Sequence, residues 1–323
     1  MKKIAIIGTG IAGIVQALAL VKQFGASVTI DIFEKEKYFK ISQGVELSVG
    51  PGFQIVMQAL GYGMTTELEK YGYRYAEASV SDSMGDAMVK IEHAINNDVF
   101  TYKGADAIGP NGQKIKFHPY SINRGIFMSV LKDKLMMACQ GKNIIHWDYR
   151  LNEIETIDNH KMLHFDNGQI VDNVDLVIGA DGVHSTVREL LFDQHKAQHV
   201  GANILYGLID GPIDIFNRDK FNIICSDRFS MVSCCYKNLE GNLITWWAIV
   251  HPDQQERQTQ RDYRAFWESQ SDVKSLALEL VKEEAPNSYP IRYIEQTKEF
   301  KYAGFFLERN PNTLQRWGID NVV

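Results

Sequence analysis

The chain has 323 residues, 45% hydrophobic and 23% charged, enough for about two domains with real cores. That composition excludes disordered, collagenous and coiled-coil classes. Lys and Arg number 34 against 40 Asp and Glu, a formal net charge of −6. Without a basic block, this balance does not suit a nucleic-acid or anionic-membrane binder. Cys139, Cys225, Cys234 and Cys235 match neither a disulfide framework nor paired zinc knuckles. Adjacent Cys234 and Cys235 point to opposite faces of a strand, and all four read as free thiols in a reducing, cytoplasmic compartment.

Lys2, Lys3 and the apolar stretch from Ile4 to Val21 imitate a signal peptide, with Ala17-Leu18-Ala19 as a mock cleavage site. Three glycines within six residues suit a phosphate-binding turn better, and cleavage would destroy the strand that follows. No other apolar run reaches the ~18 residues of a membrane span.

Lys3 to Ile7 predicts a strand buried on both faces, ending at the GxGxxG of Gly8-Thr9-Gly10-Ile11-Ala12-Gly13. A helix follows with Ile11, Val15, Leu18 and Ala19 as its inward stripe and Gly25 as its C-cap. Ser27 to Phe33 is the second strand, with Glu34 directly after it. Gly8 permits the tight turn, Gly10 the approach of a pyrophosphate, and Gly13 close helix–strand packing. The helix start favours a diphosphate, and Glu34 can accept from both hydroxyls of an adenosine ribose. Gly8, Gly10, Ile11, Ala12, Gly13, Glu34 and Lys35 are therefore candidate cofactor-binding residues. FAD and NAD are both open at this point.

Pro51 to Gly61 predicts a helix with Phe53, Val56, Met57 and Leu60 inward. From Gly72 to Pro119 short segments read as strands leaving the nucleotide domain. Arg124 to Cys139 is a helix carrying Ile126, Phe127, Val130, Leu131 and Leu135 inward. Asn143 to Trp147 is a strand. Arg150–Ile157, Lys161–Phe165 and Gln169–Val171 form a meander. Val174 to Gly179 runs into Ala180-Asp181-Gly182, and Ser185 caps the next helix, which bears Arg188. Phe221–Cys225, Ser230–Tyr236 and Leu243–Val250 are antiparallel strands. Asp262–Gln270 and Val273–Glu284 are helical, the second with Val273, Leu276, Leu280 and Val281 inward. Phe229, Tyr236, Trp246 and Trp247 are either a pocket wall or sheet core, and only one of the adjacent tryptophans can face a pocket. His195, His199 and His251 show no metal-ligand spacing and read as surface residues. No metal site is expected.

GTGIAG with Glu34, SINRGIFMSVLKDKL opening at Arg124, and DLVIGADGVHSTVREL together resemble the FAD-dependent aromatic hydroxylases. These are the single-component, group A monooxygenases typified by the enzyme acting on 4-hydroxybenzoate. GVELSVGPGFQIVMQALG resembles a further family segment near the flavin. The resemblance covers most of the first 195 residues.

It implies an α/β fold: a glutathione-reductase-type, Rossmann-like FAD-binding domain with an inserted mixed β-sheet substrate domain. Residues 1–71 and 120–195 would form the first, and 72–119 with 196–310 the second. Arg124 would lie along the FAD ribityl and pyrophosphate, and Asp181 would order the same region. The implied activity is NAD(P)H- and O2-dependent hydroxylation of a small, electron-rich aromatic substrate. The flavin performs the chemistry, so no catalytic side chain is expected. Two departures accompany the resemblance. Lys40 stands where the family has Arg, and the Gly-Asp signature is not reached by Val323, where residues near 311–323 would begin its strand. Three readings stay open: a hydroxylase shortened and binding FAD poorly, an inactive or regulatory FAD-binding pseudoenzyme, and an NAD-linked oxidoreductase.

Overall fold

A computed structural model describes residues 1–40, 46–92, 101–102, 105–106, 119–192, 198–199, 202–213, 218–252, 266, 268–303, 307–308 and 316–323. β1 (Lys2–Ile7) leads through the glycine turn into α1 (Ile11–Phe24), and a 3-10 turn at Gly25–Ser27 starts β2 (Val28–Glu34). β3 (Glu46–Val49) precedes α2 (Pro51–Leu60) and α3 (Met64–Tyr71). Then come β4 (Tyr73–Arg74), β5 (Glu77–Ser81), β6 (Ala87–Glu92), β7 (Thr101–Tyr102) and β8 (Ala105–Asp106). β9 (Tyr120–Asn123) feeds α4 (Arg124–Ala138), followed by β10 (Ile145–Trp147). β11 (Leu151–Ile157), β12 (His160–Phe165) and β13 (Ile170–Val174) form the meander, and β14 (Leu176–Gly179) leads to α5 (Thr186–Leu191). The rest comprises β15 (Gln198–His199), β16 (Ala202–Asp210), β17 (Lys220–Cys225), β18 (Ser230–Lys237) and β19 (Leu243–Pro252). α6 (Val273–Leu280), α7 (Tyr289–Gln296), β20 (Glu299–Ala303) and β21 (Leu307–Glu308) complete it.

The first sheet is parallel, in the order β10-β2-β1-β14. Alternation along β1 explains its unbroken apolar run. Ile4 and Ile6 pack under α1 and α4, while Ala5 and Ile7 pack under the meander with Phe33, Leu163 and Phe165. Asn321 to Val323 lie along the outer edge of β14, where the Val323 N–H donates to Val177 O at 3.0 Å.

Two predicted helix faces are corrected. The residues of α1 most deeply buried are Gly13, Ile14, Ala17 and Leu18, with Val15 and Ala19 only partly buried. Gly13 fixes this rotation, because a Cβ there would lie 2.0 Å from Gly8 O, so this side must face β1. On α2, Gln54 rather than Val56 turns inward, its Nε2 donating to Val49 O at 2.9 Å. That bond satisfies a buried amide that hydrophobic patterning cannot anticipate.

The second large sheet has seven strands, β20-β16-β19-β18-β17-β5-β6, so the excursion strands β5 and β6 join strands more than a hundred residues away. α6 and α7 cover one face, and Trp247 sits fully buried between Leu205, Ala277, Tyr293 and their neighbours. Its Nε1 donates to Thr297 Oγ1 at 2.7 Å. Gly207 makes room for the indole, since a Cβ there would lie 2.6 Å from Trp247 Cζ2. Phe229 belongs to this core. Trp246 faces the other way, its Nε1 donating to Cys234 Sγ at 2.9 Å.

β16, α3 and α7 have no counterpart among the predicted elements. α6 ends at Leu280 rather than Glu284, with Ala277 and Val281 its most buried contacts. His251 is buried, at 9% exposure, rather than on the surface. His195, the side chain of His199 and most of the predicted helix at 262–270 lie outside what is described. The cysteines are free: Cys234 and Cys235 are buried, Cys139 half-buried and Cys225 exposed. No helix among the described residues is long and apolar enough to cross a membrane.

Trp247→Ala is expected to cost about 3–5 kcal/mol through the cavity it opens. Urea unfolding measures this, and a loss below about 1 kcal/mol would mean that the indole does not anchor the helices to the sheet.

Candidate cofactor site

The carboxyl ends of β1, β2 and β14 open onto one cavity of about 200 Å³. A crevice at strand carboxyl ends is where open α/β sheets bind ligands. Of the predicted residues, Gly8, Gly10, Glu34, Lys35, Arg124 and Asp181 line it together. Ile11, Ala12 and Gly13 do not. Ile11 packs against the helix-side core, Ala12 is exposed, and Gly13 lies against Gly8.

The three glycines differ in their reasons. Gly8 holds φ +105°, donates its N–H to Phe33 O at 2.8 Å, and would bring a Cβ within 2.5 Å of Ala180 O. Packing therefore demands glycine at 8 and at 13. Gly10 has an ordinary φ of −62°, and its nearest neighbour to an added Cβ is Ala180 O at 3.9 Å. Nothing in the protein itself requires glycine there. Gly10 is also the N-cap of α1, which has no side-chain cap and no acidic residue in its first turn. Its leading N–H groups and positive dipole end suit an anion.

Glu34 is held at the end of β2 by three donors. Its Oε2 accepts from Thr9 N at 2.9 Å and Thr9 Oγ1 at 2.6 Å, and its Oε1 accepts from Glu36 N at 3.0 Å. A carboxylate has about four lone-pair sites, so acceptor capacity is left. Arg124 opens α4, where Asn123 Oδ1 accepts from Gly125 N and Ile126 N at 2.9 and 3.1 Å. Arg124 itself lines the cavity. Asp181 accepts from Val187 N at 3.2 Å through Oδ2, while its buried Oδ1 has no partner among the described residues. Buried Arg188 secures this loop through Nη2 to Val183 O at 3.0 Å, beneath the Ser185 cap. Lys35 sits exposed at the rim.

Tyr149, Arg150 and His184 also line the cavity and were not predicted. The first two follow β10, and only the pairing of β10 with β2 brings them near Glu34. His184 falls inside the ADGVHS run, which was its one visible signal. Lys40 is exposed, 3.9 Å from Glu36.

A second polar cluster lies beyond Arg124. Glu46 and Ser48 on β3 pair with Asn123 and Ser121 on β9, while Leu47 and Val49 face the core. Ser48 Oγ donates to Glu46 Oε1 at 2.8 Å. Ser121 Oγ is 3.3 Å from Cys234 Sγ, which reaches across from β18. Burial pushes the Glu46 carboxyl up to about 7, against the opposing pull of Ser48, Ser121 and Cys234. Gly44 and Val45 of the same sequence segment lie outside the described residues.

A carboxyl favoured as the acid in the fold contributes stability that is fully present below its unfolded value of 4.5 and lost as pH rises through 7. Glu46→Gln should therefore gain on the parent chain between pH 4.5 and pH 8.5, by about 3 kcal/mol at most. Urea midpoints at the two pH values read the difference. A pH-independent difference would contradict the burial of this charge.

No protein-family profile matches the chain. It is 24% identical over 217 residues to 6-hydroxynicotinate 3-monooxygenase of Bordetella bronchiseptica, spanning 66% of this chain and 49% of that one. It is 29% identical over 200 residues to FAD-dependent monooxygenase DEP2 of Fusarium langsethiae, spanning 62% and 33%. The chain thus matches about half or less of these relatives' own length. Its fold matches 2,6-dihydroxypyridine-3-hydroxylase from Arthrobacter nicotinovorans with TM-score 0.75 at 14% identity, over all of this chain and 76% of that one. It matches Klebsiella pneumoniae HpxO, complexed with FAD and uric acid, with TM-score 0.68 at 19% identity, over 94% and 68%.

Proposed function

We propose that this chain, related in sequence to FAD-dependent monooxygenases and built on their fold, binds FAD and hydroxylates a small aromatic substrate at the expense of NAD(P)H and O2. The observation that carries the reading is Gly10. It is a glycine that packing does not require, at an uncapped helix start, in a cavity shared by Glu34, Arg124 and Asp181.

The residues present fit the adenosine diphosphate part of FAD. The N–H groups at the start of α1 would receive the diphosphate, with Arg124 offering its planar fork to phosphate oxygens. Glu34, already oriented by Thr9, would accept from ribose hydroxyls, and its charge would oppose a 2′-phosphate. Asp181 would turn its unpartnered Oδ1 to the cofactor, and Lys35 would lend positive charge at the rim. When bound, the flavin supplies hydride acceptance from NAD(P)H and activation of O2 for transfer of one oxygen atom to the ring. The protein's share is to bind, orient and exclude water. The parallel sheet with α1, α4 and the meander is read as the FAD-binding domain and the seven-stranded sheet as the substrate domain. Four unpaired cysteines suit a reducing, cytoplasmic setting.

Titration of the purified chain with FAD tests this directly. One saturable site per chain is expected, and Gly10→Val should weaken it at least tenfold, while the urea midpoint falls only by the ~1 kcal/mol that replacing an N-cap glycine costs. No flavin binding, or binding untouched by Gly10→Val, would contradict the reading. NAD binding in place of FAD would redirect it to an NAD-linked oxidoreductase.

A further inference from the structure

We infer that the Thr9 hydroxyl is a positioning group that leaves Glu34 one free acceptor site, so that the cofactor's ribose is recognised through a single hydroxyl. This rests on reading the cavity at the ends of β1, β2 and β14 as the cofactor site, and it names what the ribose end of that site selects. Glu34 lines the cavity and Thr9 does not, so the Thr9 hydroxyl acts on a ligand through the carboxylate.

Each carboxylate oxygen offers about two lone-pair sites. Both sites of Glu34 Oε2 are taken by Thr9, from N at 2.9 Å and from Oγ1 at 2.6 Å. One site of Oε1 is taken by the Glu36 N–H at 3.0 Å. No other described residue donates to this carboxylate, so the one site left is on Oε1. A ribose presents two adjacent hydroxyls, and a carboxylate free on both oxygens could accept from both. Held as it is, Glu34 can accept from one. The site therefore admits an adenine nucleotide that lacks the other.

The donors are themselves fixed. Gly8 N donates to Phe33 O at 2.8 Å, which carries the β1–β2 pairing past Ile7 and sets Thr9 over the end of β2. The loop after β10 pins the other side, where Tyr149 N donates to Glu34 O at 2.8 Å and Asp148 N to Glu36 O at 2.9 Å. Thr9 is only 8% exposed. A carboxylate that swung away to meet a second ribose hydroxyl would strand the Thr9 hydroxyl in the protein without water to replace it. Alanine in place of Thr9 would donate only its N–H and free a site on Oε2.

Calorimetry on the full chain with ADP, 2′-deoxy-ADP and 3′-deoxy-ADP tests this, with FAD added afterwards to show that all three leave one site. ADP and one deoxy analogue should bind with about equal affinity. The other analogue should bind about tenfold more weakly or worse, as when a hydrogen bond to a charged group is removed. Thr9→Val should bring the two analogues close to equal affinity, and Thr9→Ser should keep the parent ratio. A merely structural Thr9 would weaken all three ligands alike and leave that ratio unchanged. Equal losses with both analogues, no loss with either, or a ratio that survives Thr9→Val would overturn the inference. Any of these results with FAD still displacing ADP defeats this inference alone. Absence of both ADP and FAD binding defeats the cofactor reading and this inference with it.

Discussion

Three stretches of backbone meet at Gly8 more closely than any side chain would allow. Gly8 turns at positive φ against the Ala180 carbonyl, and Gly13 seats the first turn of α1 against the Gly8 carbonyl. This contact ties the ends of β1 and β14 to the start of α1, and the order of the site follows from it. The face of α1 that must approach β1 decides that Ile14, Ala17 and Leu18 are buried. The same turn puts Thr9 where its N–H and hydroxyl can hold Glu34. The cavity is therefore shaped by packing before any ligand is considered, and such preorganisation lowers the cost of binding.

Most of that region was legible in the sequence because its signals are local. A glycine turn, the helix after it and a carboxylate at the end of the next strand occupy 27 consecutive residues, Gly8 to Glu34. The meander announced itself through Asp158-Asn159 and Gly168, and all three residues hold positive φ. Ser185 capping α5 and the buried stripe of α4 follow equally local rules.

What was not legible depends on distant partners. β16 carries Gly207 in its middle, which weakens a strand signal, and the reason for that glycine is the Trp247 indole forty residues later. Tyr149 and Arg150 reach the cavity only because β10 adds to the edge of β2. Which tryptophan is core was undecidable from alternation alone, and Thr297 with α6 and α7 settles it for Trp247. Glu46 was legible only as part of the GVELSVGPG segment, and its partial burial, which comes from β9 and β18 rather than from its neighbours in sequence, was not.

The two faces of the seven-stranded sheet divide the labour. One is sealed by α6 and α7 around Trp247, and the other turns Cys234 and Trp246 toward Ser121 and Glu46. The central claim is that the cavity at the ends of β1, β2 and β14 is built for the adenosine diphosphate of FAD. A crystal structure of the chain grown with FAD measures it most directly. The account predicts the diphosphate at Gly10 and Arg124, and the adenosine ribose at Glu34. Density for FAD elsewhere on the molecule, with that cavity filled only by water, would contradict it.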